Sequence, residues 1–450
     1  MDNQIVKTFK DIWGNDDLRH RILITLLFVF IYRVGSFIVL PGVDVNHLGG
    51  LENQTKDGIM GLLNMFSGGA FSNASIFALG IMPYISASIV IQLLTVALPS
   101  FKKLQRDGES GRRTLTQYTR ILTVFILLLQ GPSYLVNLHM QTSGAVPAND
   151  WWFNISSTLI LCGGSMFVMW LGERITDRGI GNGISFIILI GIIARFLPAL
   201  GEEFALQLGP NANGGLIKLI VEIVLLLVVI GLALMLVQGT RQVPINYAKQ
   251  MAIGGAKGIG GERQYIPLKV YAANVMPIIF AQAIMFIPYS VAPLMGEEIG
   301  SAFQSYFDYR GVAYNVVFAL LILAFTYFYT AITIQPTQMA EDMKRTGSFI
   351  PGVKPGSDTA EYIDTIMSRI TLPGALFLAF LAILPSIIGP VVGVNSQLAQ
   401  FFGGTSLLIM VGVVLDTCQQ IKSHLSKSSV NGMQTSSRIQ RRSSAVTTND

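Results

Sequence analysis

Ten apolar runs of near membrane-spanning length divide this chain: 22–40, 74–98, 121–136, 155–171, 184–200, 217–237, 270–294, 316–334, 370–388 and 401–415. A helix crosses a bilayer's hydrocarbon core with about 20 such residues. Only 13% of the residues are charged, against roughly 25% in a soluble domain. The pattern therefore predicts an all-α integral membrane protein with ten transmembrane helices. The first run exceeds a signal-peptide core and no small-residue cleavage site follows it, so it is expected to be retained. The stretch 58–71 is different. It is apolar but too short to cross, and Gly61, Gly68, Gly69, Asn64 and Ser67 interrupt it. Irregular backbone at membrane depth persists only where protein buries it or water bathes it. A re-entrant piece inside a cavity and an external loop resting on the membrane both fit this pattern.

Charge placement fixes the expected orientation. Of the 31 Lys and Arg, 25 fall in the N-terminal arm, in the tail, and in the loops after the even-numbered runs. Segments 137–151, 201–216 and 389–400 contain none. The positive-inside rule then places both termini in the cytoplasm. Two of the inner loops, 238–269 and 335–369, are longer than a helix connection needs. One carries the glycine-rich IGGAKGIGG (253–261) and the other FIPGVKPG (349–356), with Lys354 between two Pro-Gly turns. Topology explains their charge but not their length, which points to docking of an acidic partner or RNA. The expected organisation is a cytoplasmic arm (1–21), a first half (22–200), a second half (201–425) and a disordered polar tail (426–450).

Several chemistries find no support in the residues. Cys162 and Cys418 are too far apart in sequence to suggest a disulfide framework or metal site. The four histidines (His20, His47, His139, His424) lie outside the run interiors and show no paired ligand spacing. No nucleotide-binding loop is present. Ionisable residues within the runs are few: Arg33, Arg120, Arg195, Lys218, Glu222 and Asp416. All are expected towards the ends, which leaves the midplane poor in titratable groups. Ion-coupled transporters and intramembrane enzymes place such groups along their pathways, so both alternatives are disfavoured. GERITDRGIGNGIS (172–185) reads as a tight cytoplasmic turn. No strand precedes its glycines, so a dinucleotide-binding loop is the weaker reading. Isoleucines recur at one-turn spacing, Ile81 with Ile85 and Ile184 with Ile188. By default such residues pack against lipid or a neighbouring helix. Pro83 and Pro277 lie where they can distort the second and seventh spans.

Several longer motifs resemble one family. NMFSGGAFSNASIFALGIMPYISASIVIQLL (64–94), ESGRRTLTQYTR (109–120), WLGERITDRGIGNGIS (170–185), INYAK (245–249), PLKV (267–270), SFIPGVKPG (348–356) and FFGGTSLLI (401–409) are similar, in order, to SecY, the channel-forming family of the bacterial protein-export translocon. The resemblance covers nearly the whole chain apart from its tail. It implies two pseudo-symmetric five-helix halves around an hourglass pore, with 58–71 as a re-entrant plug (Ile59, Met60, Leu62, Leu63, Asn64, Met65, Phe66). It implies a pore ring of Ile81, Ile85, Ile184, Ile188, Ile279 and Ile409. It also implies a lateral gate to lipid between spans two and three on one side and seven and eight on the other.

The same resemblance implies passage of unfolded preproteins and signal peptides, with no cofactor and no catalysis by the channel itself. The partners it implies are SecE, SecG, the SecA ATPase, the ribosome and membrane lipid, with ribosomal RNA contact on the basic loops and no direct DNA binding. Motor or ribosome docking would use Arg241, Lys249, Lys257, Arg263, Lys344, Arg345 and Lys354. Lys354 stands where the family usually has arginine, which keeps the charge but loses the planar fork of donors. The implied location is the bacterial inner membrane. An apolar ring suits such a channel because it dewets at rest and binds no particular side chain.

Overall fold

The computed structural model describes residues 12–49, 51, 58–141, 151–208, 215–247, 264–271, 275–291, 311–402 and 404–446. Each of the ten apolar runs contains a helix. These are α1 (Asp16–Gly35), α3 (Met82–Ala97), α5 (Gly108–Gln141), α6 (Trp151–Arg178), α7 (Gly183–Leu208), α8 (Gly215–Gln238), α9 (Met276–Val291), α10 (Val312–Thr333), α12 (Ser357–Ile388) and α14 (Gly404–Val446). Between them lie α2 (Gly58–Phe66), α4 (Pro99–Arg106), α11 (Pro336–Thr346) and the short α13 (Ser396–Ala399). Among the described residues, seven helices are by themselves long and apolar enough to span a membrane, or eight if α3 and α4 count as one broken span. The chain is a multi-pass membrane protein. Its outer helix faces are greasy: Leu216, Ile217, Val224 and Leu227 of α8 are all exposed, as lipid-facing side chains must be.

The second span is shorter than its apolar run. Residues 74–81 are turns, mostly buried, with Ser75 bridging to Val39, and the helix begins only at Met82, with Pro83 in its first turn. Proline there is preorganised for helix initiation and gives up no needed N–H bond. Pro277 occupies the same early position in α9. Both prolines therefore start helices instead of distorting them. After Leu98 the chain bends by 105° into α4. The tail also differs from expectation, because helical backbone continues through Val446. No proline follows Pro390 to stop it.

The two long basic loops form one body. Strand β1 (Thr240–Tyr247) pairs antiparallel with β2 (Gln264–Lys269) and with the short β3 (Ser348–Phe349). Val243, Ile245 and Leu268 of the sheet pack with Met343 of α11, Ile350, and Ile363 and Met367 of α12 in a second small core. The sheet adds strands to a fold otherwise built from helices. Alternation of buried Val243 and Ile245 with exposed Gln242 and Pro244 is the period-two signature of a strand.

Two seams join the first five long helices to the rest. Along one, α7 packs against α8, α13 and α14, and polar pins hold it at both ends. The Gly181 N–H donates to Gln420 Oε1 at 2.9 Å. At the opposite end the Asn395 N–H donates to Glu203 Oε2 at 3.1 Å, and Asn395 Nδ2 to Glu202 at 3.4 Å. Lys218 Nζ of α8 reaches the Gly393 carbonyl at 2.7 Å. Along the other seam, α3 and α5 pack against α9. There Ile81, Met82 and Phe286 line a small cavity with Gln130, whose buried Oε1 has no partner.

Candidate pore and plug

Helix α2 is seated inside the main hydrophobic core. Leu62, Leu63, Asn64, Met65 and Phe66 are all buried, and Met60 is partly so. The side chain of Ile59 lies outside the described set. Nine residues make a helix that is marginal alone, so its surroundings must hold it. The turns after it, 67–75, bend back through Gly68 and Gly69, whose φ values of +64° and +92° lie where a side chain is strained. Within this hairpin the Ser72 N–H donates to Asn64 Oδ1 at 3.1 Å, and Ser67 Oγ donates to the Asn64 carbonyl. The two polar residues that looked out of place in an apolar segment thus satisfy its backbone.

Four side chains from four positions on three helices grip the hairpin. From α1, the Tyr32 hydroxyl donates to the Ser67 carbonyl at 3.0 Å and Arg33 Nη1 to the Gly68 carbonyl at 2.8 Å. From α7, Arg195 Nη2 donates to Ser72 Oγ at 2.9 Å. From α5, the Tyr134 hydroxyl donates to the Phe71 carbonyl at 3.0 Å, and its ring meets Phe71 edge-on at 4.9 Å. Arg33 and Arg195 drew notice in the sequence only as stray charges within spans. Their role as hairpin donors depends on which backbone carbonyls and hydroxyls face them, and spacing does not encode that.

Helix α7 passes close beneath. A Cβ on Gly191 would lie 2.5 Å from the Phe66 carbonyl oxygen and 3.0 Å from that of Met65. Gly191→Ala is therefore expected to push α2 outward, at the ~1–3 kcal/mol typical of overpacking. The check is resting ion leak in vesicles, which should rise several-fold with the other helices intact by circular dichroism.

Of the six ring candidates, Ile81, Ile85, Ile188, Ile279 and Ile409 are buried in the same contiguous core as Leu63, Met65 and Phe66. Ile81 borders the cavity that Leu63 and Phe66 also line. Ile184 is only partly buried, and its Cγ1 lies against the position of Gly172 on α6. Two cavities border the hairpin, of about 20 and 10 Å³. Each has room for about one water and neither admits a solute. A cavity of about 1170 Å³ opens at the basic end between α3, α4, α5 and the α10–α11 junction. Its lining mixes Tyr84, Ile91 and Leu115 with Gln92, Lys102, Arg112 and Gln338.

Among the docking candidates, Arg241, Lys344, Arg345 and Lys354 are exposed on the sheet-centred body. Lys344 and Arg345 close the last turn of α11, where cations suit the helix dipole. Lys249, Lys257, Arg263 and the glycine-rich tip lie outside the described residues.

Comparison with known proteins agrees along the length of the chain. The SecY family profile matches residues 75–418. The protein translocase subunit SecY of Streptomyces scabiei is 40% identical over 95% of this chain and 99% of its own. That of Mycobacterium tuberculosis is 38% identical over 92% of this chain and 97% of its own. Among solved structures, a SecY protein described by its plug domain, which stabilises the closed translocation channel, superposes with a TM-score of 0.61. It shares 17% identity and covers 90% of this chain and 92% of its own. Canine Sec61 in a ribosome–channel complex superposes with a TM-score of 0.55 at 16% identity, over 90% of this chain and 92% of its own. A buried re-entrant helix over an apolar centre and two near-complete alignments lead to one assignment: the chain belongs to the SecY family of protein translocase subunits.

Proposed function

We propose that this chain is the central subunit of a protein-conducting channel. It passes unfolded secretory polypeptides across the bacterial inner membrane and releases hydrophobic segments sideways into lipid. The observation that carries the reading is the seating of α2 within a core that holds Ile81, Ile85, Ile188, Ile279 and Ile409, with two water-sized cavities beside the hairpin. A pathway closed by apolar side chains excludes ions by dewetting. It also offers no fixed polar partner that a passing chain must match.

The two seams support a direction of opening. The α7 side is pinned by hydrogen bonds at both ends, while on the α3/α5–α9 side Ile81, Met82 and Phe286 line one small cavity together with Gln130. Parting the apolar contacts of this seam costs little in a bilayer, because lipid tails replace them. On this reading the lateral gate lies between α3 and α5 on one side and α9 and α10 on the other, the spans 2–3 and 7–8 that the family resemblance implies. Both termini and the basic body face the cytoplasm, following the charge bias. The partner set is SecE and SecG in the membrane, with the SecA ATPase or the ribosome on the body formed by loops 238–269 and 335–369. Exposed Arg241, Lys344, Arg345 and Lys354 supply its positive charge, and the driving energy comes from the partner.

The test is reconstitution with SecE, SecG, SecA, ATP and a secretory precursor. Protease-protected precursor inside the vesicles is the expected result. Uptake of a small solute down its gradient without precursor transport would overturn the reading.

A further inference from the structure

We propose that Glu203 and Glu222 hold one proton between them, and that this acid–carboxylate pair fastens α8 to α7 at the end of the bundle away from the basic body. The pair belongs to the fold and does not depend on conduction by the channel. Both side chains are buried, at 3% and 2% exposure. Glu203 Oε1 accepts from Gln207 Nε2 at 2.8 Å, and Glu203 Oε2 from the Asn395 N–H at 3.1 Å. Glu222 is placed differently. Neither of its oxygens accepts a hydrogen bond from the described residues, and both are shut away from solvent. The Glu203 carboxyl faces it within hydrogen-bond reach. Lys218 lies one turn before it on α8, but Nζ stands 3.9 Å from Glu222 Oε1 and makes its short bond, 2.7 Å, to the Gly393 carbonyl.

Two ionised carboxylates are both pure acceptors, so neither can bond the other. A buried ion without a hydrogen bond costs so much that the group takes up a proton instead. Facing carboxyls of this kind share one proton. The donors around them decide which one carries it. Both Glu203 oxygens already receive N–H bonds, so Glu203 is the carboxylate. Glu222 receives none, so it carries the O–H and donates it to Glu203. Few other charges approach. On α7, Glu202 Oε2 takes Asn395 Nδ2 at 3.4 Å, and Arg195 bonds the plug hairpin, as does Arg33 of α1. Helices α12 and α14 also pack on α8, and from 370 to 415 the chain has no ionisable side chain. The proton thus joins α8 to the same carboxylate that holds the 389–395 segment through Asn395.

The test follows the full chain in lipid vesicles by infrared spectroscopy across roughly pH 5 to 9. A buried protonated carboxyl gives a carbonyl band that shifts on deuteration and stands apart from carboxylate bands. The difference between the unsubstituted protein and Glu222→Gln at neutral pH is expected to show that band, and the difference from Glu202→Gln is not. Glu222→Gln replaces the O–H with an N–H donor, so it is expected to fold and keep the contact. Loss of the proton leaves two facing charges. The pair therefore stabilises the fold at low and neutral pH, and that contribution is lost as the pH rises. The folding constant of the unsubstituted protein should fall relative to that of Glu222→Gln by at most about tenfold per pH unit, the slope of one proton. Glu203→Gln is expected to melt lower than Glu222→Gln at neutral pH, because its amide must turn an NH2 towards the Asn395 or Gln207 donor. A difference spectrum without the carboxyl band, or a Glu222→Gln chain that does not fold, would overturn the shared proton. Equal melting of Glu203→Gln and Glu222→Gln would overturn its placement on Glu222.

Discussion

Vesicles containing the Ile85→Gly, Ile188→Gly double variant are expected to leak ions at rest at least about tenfold faster than the unsubstituted protein, which corresponds to a barrier lowered by ~1.4 kcal/mol. Both side chains are almost wholly buried, at 4% and 1% exposure, in the core that also receives the plug. Ile85 lies in the first turn of α3 and Ile188 in the second turn of α7, so the pair brings apolar bulk from two different helices. An apolar constriction holds back water because its walls offer nothing to hydrogen-bond, and that barrier falls as the opening widens. Removing two branched side chains both widens the space and strips contacts from the plug. Glycine also costs helix stability, about 1 kcal/mol at each position. The control is therefore Ile85→Leu, Ile188→Leu, which keeps volume and hydrophobicity and costs under about 1.5 kcal/mol per site. The leucine pair should stay sealed. Equal leak in both pairs, or none in the glycine pair, would remove these residues from the constriction.

Lys354→Glu is expected to reduce SecA-driven export more than tenfold while leaving the folded channel intact. The residue is exposed in the turn between β3 and α12. Its backbone carbonyl accepts from Thr359 Oγ1 at 2.8 Å, a contact that substitution of the side chain leaves in place. Below the turn, Ile350 anchors the loop in the small core with Val243, Leu268 and Met343. The charge is thus presented on a supported platform. Surface substitutions away from buried features usually shift stability by no more than about 0.5 kcal/mol. Reversal of a charge facing an acidic partner converts attraction to repulsion, and like charges juxtaposed at an interface cost several kcal/mol. Lys354→Arg should retain activity. The defect of Lys354→Glu should shrink as salt is raised, because screening weakens attraction and repulsion alike. Normal export by Lys354→Glu with an unchanged melting temperature would take this turn out of the docking surface.

Much of the architecture is legible in the residues because a bilayer imposes a simple code. Each apolar run marks a helix, since unsatisfied backbone is intolerable in hydrocarbon. The code fails where protein, not lipid, buries the chain. Residues 74–81 are as apolar as a span, yet they form turns beneath the plug because Pro83 sets the helix start. The strands in the basic loops are hard to read from sequence although Val243/Ile245 and Ile266/Leu268 alternate, because so short a period-two pattern is a weak signal. Within the site, the apolar ring candidates follow from the family motif, and all but Ile184 prove deeply buried. The grip on the plug was illegible. Tyr32, Arg33, Tyr134 and Arg195 are distant in sequence from the carbonyls and hydroxyl they meet, separated by 35 to 123 positions. Only the folded chain brings those donors and acceptors together.

The most direct test of a central apolar pathway is to arrest a secretory precursor halfway through the reconstituted channel and map its neighbours by cysteine cross-linking. Ile85→Cys, Ile188→Cys, Ile279→Cys and Ile409→Cys are each expected to join the arrested chain, whatever sequence occupies the channel. Leu227→Cys, on the exposed face of α8, is expected not to. Cross-links from Leu227→Cys, with the four isoleucine positions silent, would contradict the account.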